Sequence, residues 1–163
     1  MFRIEAVELE FQNGVKTAFE RLYSQADGAV MIVPLLMDTT ILLIREYAVG
    51  TQRYKLALSQ GRIEQGEDWL KAANRELMEE VGDGVRRLTR IIYLILAPGY
   101  SGARTHVVLA EDLFAERRPS DAPEEVEVIS WRLDRLEELI GREDFTEVRS
   151  IAALYSVRDM AHR

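Results

Sequence analysis

The sequence predicts an α/β fold, an α/β/α sandwich with a mixed sheet, preceded by an N-terminal β-hairpin. Three observations carry that prediction. Residues 1–27 hold two alternating segments around Asn13-Gly14. Several apolar runs of strand length follow, the longest being 30–37 and 91–97. Between them lies a single strongly patterned helical segment, 69–81, and two more helical patterns close the chain. Strands interleaved with helices in this order give a layered α/β architecture.

Each element has a local reason. Residues 3–12 and 15–22 alternate with period two, and Asn13-Gly14 between them predicts a type I′ turn with positive φ at both central positions. A lone hairpin is marginal in water, so it must pack on its own domain or on a second subunit. Residues 28–34 read as a buried strand, with 40–47 returning beside it across an Asp38-Thr39 turn. Residues 54–59 form a further short strand. Asp68 is the expected N-cap of a helix over 69–81, and Gly82 stops it in the left-handed conformation. Leu70, Ala73, Leu77 and Val81 form its apolar stripe. Strands are expected at 88–96, 106–110 and 126–131, and a polar, acidic loop at 114–127. A short helix at 133–140 and a longer one at 146–160 follow, the latter with Val148, Ile151, Ala152, Tyr155 and Met160 roughly on one side. The division expected is a hairpin unit, 1–27, and a main domain, 28–163.

Composition narrows the function. With 163 residues, 47% hydrophobic and 30% charged, the chain has one domain's worth of core without staples. Its net charge of −7 argues against a nucleic-acid duplex as partner. A nucleotide substrate stays open, because a bound divalent cation reverses the local sign. The absence of cysteine excludes disulfides, zinc-thiolate sites and a cysteine nucleophile. His106 and His162 are far apart, and such isolated histidines suit core or surface roles better than catalysis. No apolar run is long enough to span a bilayer and the N-terminus has no signal layout, so the expectation is a soluble cytoplasmic protein.

The chemistry concentrates in residues 61–82: Gly61-x5-Glu67-x7-Arg75-Glu76-Leu77-x-Glu79-Glu80-x-Gly82. On a helix Glu76, Glu79 and Glu80 stand at i, i+3 and i+4, within reach of a shared cation. Like charges at that spacing cost a helix roughly 0.2–0.5 kcal/mol per pair, and Arg75 alone relieves them. Hard carboxylate oxygens suit Mg²⁺, or Mn²⁺ in its place. The pattern resembles the Nudix box at each charged and glycine position, departing at the last position, where Asp83 stands in a usually aliphatic slot. The resemblance implies a Nudix fold and a Mg²⁺-dependent hydrolase of diphosphate linkages. By the same resemblance Glu76 and Glu80 would ligate the metal directly, with Glu79 ligating or holding a metal-bound water. The Gln60 carbonyl would join them. Glu67 and Arg75 would pair to fix the loop on the helix, and Gly61 and Gly82 would be conformational.

Further runs place the chain within the family. The segment Ile44-Arg45-Glu46-Tyr47-Ala48-Val49-Gly50-Thr51, the run Ala73-Asn74-Arg75-Glu76-Leu77 and the opening 8–15 resemble the ADP-ribose pyrophosphatase branch and, within it, the enzymes acting on ADP compounds. Pro98, fifteen residues past Asp83, and Tyr100 resemble that branch's substrate markers. The resemblance implies hydrolysis of ADP-ribose, diadenosine polyphosphates or NADH with release of AMP, and a homodimer built with the N-terminal hairpin. A late-loop glutamate is the base in that branch. Glu124 and Glu125 sit where it would fall, and Glu79 competes for the role. Arg45 is a candidate phosphate contact and Tyr47 a candidate stacking partner for adenine; both also suit structural roles. Two rivals stay open: a nucleoside triphosphate pyrophosphohydrolase, and a non-catalytic nucleotide sensor on the same fold.

Overall fold

A computed structural model describes residues 3–23, 28–120 and 122–161; His162 and the last residues of the expected hairpin unit, 24–27, lie outside them. The hairpin comprises β1 (Arg3–Glu10) and β2 (Lys16–Tyr23), paired antiparallel from Arg3↔Tyr23 to Glu10↔Lys16. Its turn differs from the type I′ expectation. The Gly14 N–H donates to the Phe11 carbonyl at 2.8 Å and the Phe11 N–H to the Val15 carbonyl at 2.9 Å. Gln12 and Asn13 are therefore the central residues, and Gly14 alone adopts positive φ, at 82°. The Asn13 side chain accepts from the Val15 N–H, which holds this longer connection.

Beyond the hairpin, β3 (Ala29–Pro34), β6 (Gln60–Arg62), β7 (Asp83–Ile95) and β8 (Arg104–Ala115) form one mixed sheet in the order β6-β3-β8-β7. Only β3 and β8 run parallel within it. A second sheet has the order β5-β4-β9, from β4 (Thr40–Ala48), β5 (Arg53–Ala57) and β9 (Glu127–Arg132). The expectation that 40–47 pairs with 28–34 is therefore corrected. A 3₁₀ turn at Met37–Thr39 carries the chain to the other sheet, leaving a single Leu35↔Ile41 bridge between them. The reason is burial on two faces: Val30–Val33 and Ile41–Ile44 are all buried, so each strand is central to its own sheet and has neighbours on both sides.

Alternation along these strands sorts the side chains into two cores. Val30, Ile32, Leu42 and Ile44 face α1 (Trp69–Glu80) through Ala72, Ala73, Leu77 and Val81. Met31, Val33, Ile41 and Leu43 face α2 (Leu136–Ile140) and α3 (Val148–Ala161) through Leu136, Leu139, Ala153, Leu154 and Val157. This is the sandwich the sequence predicts. Two helical faces shift from expectation. Leu70 is exposed, and Met78 is buried instead. On α3 Val148 and Met160 are exposed while Ser150, Ala153, Leu154 and Val157 are buried, because the buried polar Ser150 donates no apolar signal yet ties the helix to Leu58 N–H.

The helix boundaries follow the sequence. Asp68 caps α1 by accepting from the Leu70 N–H at 2.9 Å. Gly82, at φ 89°, ends it with its N–H on the Leu77 carbonyl. Asp83 does not fray this end; it opens β7 opposite Ala115. The strand β8 runs on to Ala115, so the acidic loop is shorter than expected and spans 116–126. Its first residues close the helix: the Glu116 N–H reaches the Gly82 carbonyl and the Arg118 N–H reaches the Met78 carbonyl. Among the described residues no helix is long and apolar enough to cross a membrane.

Since Leu77 is fully buried between α1 and the sheet, Leu77→Ala is expected to lower stability by roughly 2–5 kcal/mol, read from urea denaturation. The m-value should stay constant.

Candidate active site

The site is built where α1 crosses the end of β6. Gly61 is its steric key. A Cβ on this residue would stand 1.8 Å from the Glu76 carboxyl carbon and 1.9 Å from its Oε1. The Glu76 carboxylate therefore occupies the space that only glycine leaves open. Arg75 gathers the surrounding acids. Its Nη1 donates to Glu76 Oε1 at 2.6 Å and to Glu79 Oε2 at 3.4 Å. Its Nε and Nη2 hold Glu67 at 3.1 and 3.0 Å in a forked pair, and Nη2 also reaches the Arg62 carbonyl. Glu67 in turn accepts from the Glu64 N–H, so the turn before α1 is tied to the helix through one guanidinium. The same pair holds the Glu67 carboxyl below its usual range, with the Arg75 hydrogen bond as the main cause.

Glu80 lies deeper. Ser59 Oγ donates to Glu80 Oε2 at 2.5 Å, and Gln60 adds a backbone hydrogen bond. Burial nevertheless dominates and, with the charges of Glu76 and Glu46, pushes its pKa up to about 7. Glu46, on β4, is also raised by burial. Among the described residues no three acidic or histidine side chains are placed, as they stand, to hold a cation together. Arg75 and Ser59 instead hold the carboxylates that crowd here. The donor set is all oxygen, negative and partly desolvated, and Gly61 leaves room for the Glu76 carboxylate; these residues fit a hard divalent cation.

Beside them a cavity of about 220 Å³ opens between β4, β5 and the 116–126 loop, with Arg45, Glu46, Tyr47, Tyr54 and Glu124 among its walls. Glu124 Oε2 accepts from the Tyr54 hydroxyl at 3.0 Å. Glu125 also borders the cavity, but its side chain is 85% exposed and lies 3.8 Å from Arg117. Tyr47 packs edge-on against Tyr54 at 5.4 Å. Arg45 is committed to Asp144 at 3.0 Å and to Glu127 at 3.7 Å. Pro98 and Tyr100 do not line this cavity. Both are exposed in the turn after β7, where the Tyr100 carbonyl accepts from the Leu22 N–H of the hairpin. His106 stacks on Trp69 at 6.4 Å, its pKa lowered by burial and then by Arg90 and Arg104.

Sequence reasoning missed Ser59, Glu46 and Tyr54. Glu46 sits in a strand and Ser59 in the link between β5 and β6, neither with a spacing relation to the helix, and Tyr54 meets its partner 70 residues away. The one available signal was a charged residue, Glu46, interrupting an apolar strand.

A mixed sheet between helices, with a glycine-seated glutamate helix at its edge, defines a Nudix enzyme, and the NUDIX domain model matches residues 26–154. The chain belongs to the Nudix family. It is 44% identical over 159 residues to the ADP compounds hydrolase NudE of Escherichia coli (strain K12), covering 98% of this chain and 85% of that protein. It is 28% identical over 149 residues to the ADP-ribose pyrophosphatase of Bacillus subtilis (strain 168), covering 90% and 80%. A crystal structure of an ADP compounds hydrolase superposes with a TM-score of 0.93 at 43% identity, over 99% of this chain and 87% of that one.

Two outcomes follow from the geometry. Gly61→Ala should fold but lose on the order of a hundredfold in kcat, since its methyl group displaces the Glu76 carboxylate. Without added metal, Glu80 retains in the folded state a proton that the unfolded chain releases above the ordinary glutamate value of 4.5. Stability should therefore fall by up to about 3 kcal/mol as pH rises from about 4.5 to about 7, and level off above. Denaturant melts across that range should show the decline in the wild type and a flatter profile in Glu80→Gln.

Proposed function

We propose that this protein hydrolyses the pyrophosphate bond of ADP-linked compounds such as ADP-ribose, diadenosine polyphosphates and NADH, releasing AMP. The observation that carries the reading is the Glu76 carboxylate seated on Gly61, with Glu79 held by Arg75 and Glu80 by Ser59, beside a cavity walled by Tyr47, Tyr54 and Glu124. The likeness to the E. coli and B. subtilis relatives, named for ADP compounds and ADP-ribose, supports the substrate class.

Glu76, Glu80, Glu79 and the Gln60 carbonyl would hold Mg²⁺, or Mn²⁺ in its place. That cation, when bound, screens the phosphate oxygens and acidifies the attacking water. The chain's own residues supply the rest. Arg75 and Glu67 keep the turn before α1 fixed, so that Glu76 stays seated on Gly61. Water attacks one phosphorus, the bridging P–O bond breaks, and the second phosphate-bearing product leaves. Glu124 takes the water's proton. It is favoured over Glu125, which faces Arg117, and over Glu79, which Arg75 already engages. Tyr47 offers a ring to the adenine, while Pro98 and Tyr100 act away from the cavity, at the junction with the hairpin. Arg45 serves chiefly to brace β4 against Asp144.

The hairpin, the N-terminal unit of the two expected from sequence, would join two copies in a homodimer. Leu9 and Phe19 are exposed on one face of it, and Phe11 meets Phe19 edge-on at 6.2 Å, an apolar patch that a single copy leaves in water; Ile4 and Val15 are exposed as well. The cytoplasm is the compartment that such a nucleotide substrate implies.

Product analysis by HPLC tests the activity. Mg²⁺-dependent AMP from ADP-ribose, diadenosine triphosphate and NADH, with dATP spared, is expected; pyrophosphate from dATP would support a triphosphate hydrolase instead. Glu80→Gln should abolish the AMP. Light scattering should give twice the 18.7 kDa chain mass for the wild type, and Phe19→Asp should halve it.

A further inference from the structure

Glu124 and Glu125 are neighbours in sequence, yet the fold treats them differently. Glu125 points towards Arg117 from an exposed position. Glu124 is held by a hydrogen bond from β5, donated by the Tyr54 hydroxyl to Oε2 at 3.0 Å. That hydroxyl is itself well fixed. Tyr54 pairs with Tyr47 across β4 and β5, and the two rings meet at 74° with centroids 5.4 Å apart. The hydrogen bond to Glu124, and then its negative charge, raises the pKa of the Tyr54 phenol, so the group remains a donor through neutral pH.

The surroundings leave Glu124 with no other protein donor among the described residues. Arg45, the nearest cation lining the cavity, is taken by Asp144 and Glu127. The remaining charged walls, Glu46, Glu125 and Glu127, are negative and would drive a loop carboxylate outward. One donor on a rigid strand thus opposes three acids. It engages a single carboxylate oxygen, and Oε1 has no partner among the described residues.

We infer that Tyr54 is a positioning residue for the hydrolytic reaction: its hydroxyl holds the Glu124 carboxylate by one oxygen over the cavity and leaves the other oxygen to take the proton from water. The inference rests on the reading of Glu124 as base. It adds a strand residue outside the glutamate helix to the machinery and supplies the one hydrogen bond that holds Glu124 at a cavity whose other acids repel it.

Steady-state kinetics on the full chain with ADP-ribose and saturating Mg²⁺ test it, using wild type, Tyr54→Phe, Glu124→Gln and the double variant. Phenylalanine keeps the ring contact with Tyr47, and an unchanged Tm would confirm the fold. Tyr54→Phe is expected to lower kcat about tenfold, the effect of losing one hydrogen bond to a charged group, with KM within about twofold. In the Glu124→Gln background the same change should have no further effect, because the two residues act as one unit. A wild-type kcat for Tyr54→Phe, or an equal fall with Glu124 already replaced, would overturn the inference while leaving Glu124 as base. A wild-type rate for Glu124→Gln would remove the base assignment and the inference together.

Discussion

The contact between the Glu76 carboxylate and the Cα of Gly61 is the constraint around which the site is arranged. Gly61 lies on β6, at the edge of the first sheet, and Glu76 lies in the middle of α1. Any side chain on Gly61 would collide with that carboxylate, so the Glu76 side chain alone fills the gap between helix and strand. Arg75 then clasps Glu76, Glu79 and Glu67 from one side, and Ser59 takes Glu80 from the other. The result is a group of acids held close despite mutual repulsion. Fold energy, chiefly the burial of Ala72, Ala73, Leu77 and Met78 beneath the same helix, offsets that cost.

The two cores give this arrangement its rigidity. Because β3 and β4 are buried on both faces, the strands that carry Glu46 and pair with Gly61 cannot shift without disturbing packing against α1 and α3 alike. The 116–126 segment is less constrained: it is anchored at its start to the carboxyl end of α1 and near its end to Tyr54. A fixed acidic centre bordered by a loop tied at two points is a division suited to binding a polyanion and then ordering a proton acceptor beside it.

Much of this was legible in the sequence, for reasons that can be given residue by residue. Asp68, the box residues and Gly82 marked α1 to within a residue, since capping and left-handed termination are local. Charge and glycine spacing singled out the acids of the helix for the same reason. Sheet partnership was not legible: residues 40–47 form a strand as predicted but join β5 and β9, because partner choice depends on which faces are buried and not on proximity in sequence. The hairpin turn moved by one residue, its Asn13 side chain favouring a wider loop. Glu46, Ser59 and Tyr54 reach the site through tertiary pairing, and only Glu46, a charge in an apolar strand, left a local signal.

We read Gly61 as the residue that seats Glu76 for a divalent cation. Electron paramagnetic resonance of Mn²⁺ titrated into wild type and Gly61→Ala tests it most directly, because it reads binding without turnover. The wild type should take up Mn²⁺, and the folded variant should bind it far more weakly. Equal uptake by both proteins would contradict it.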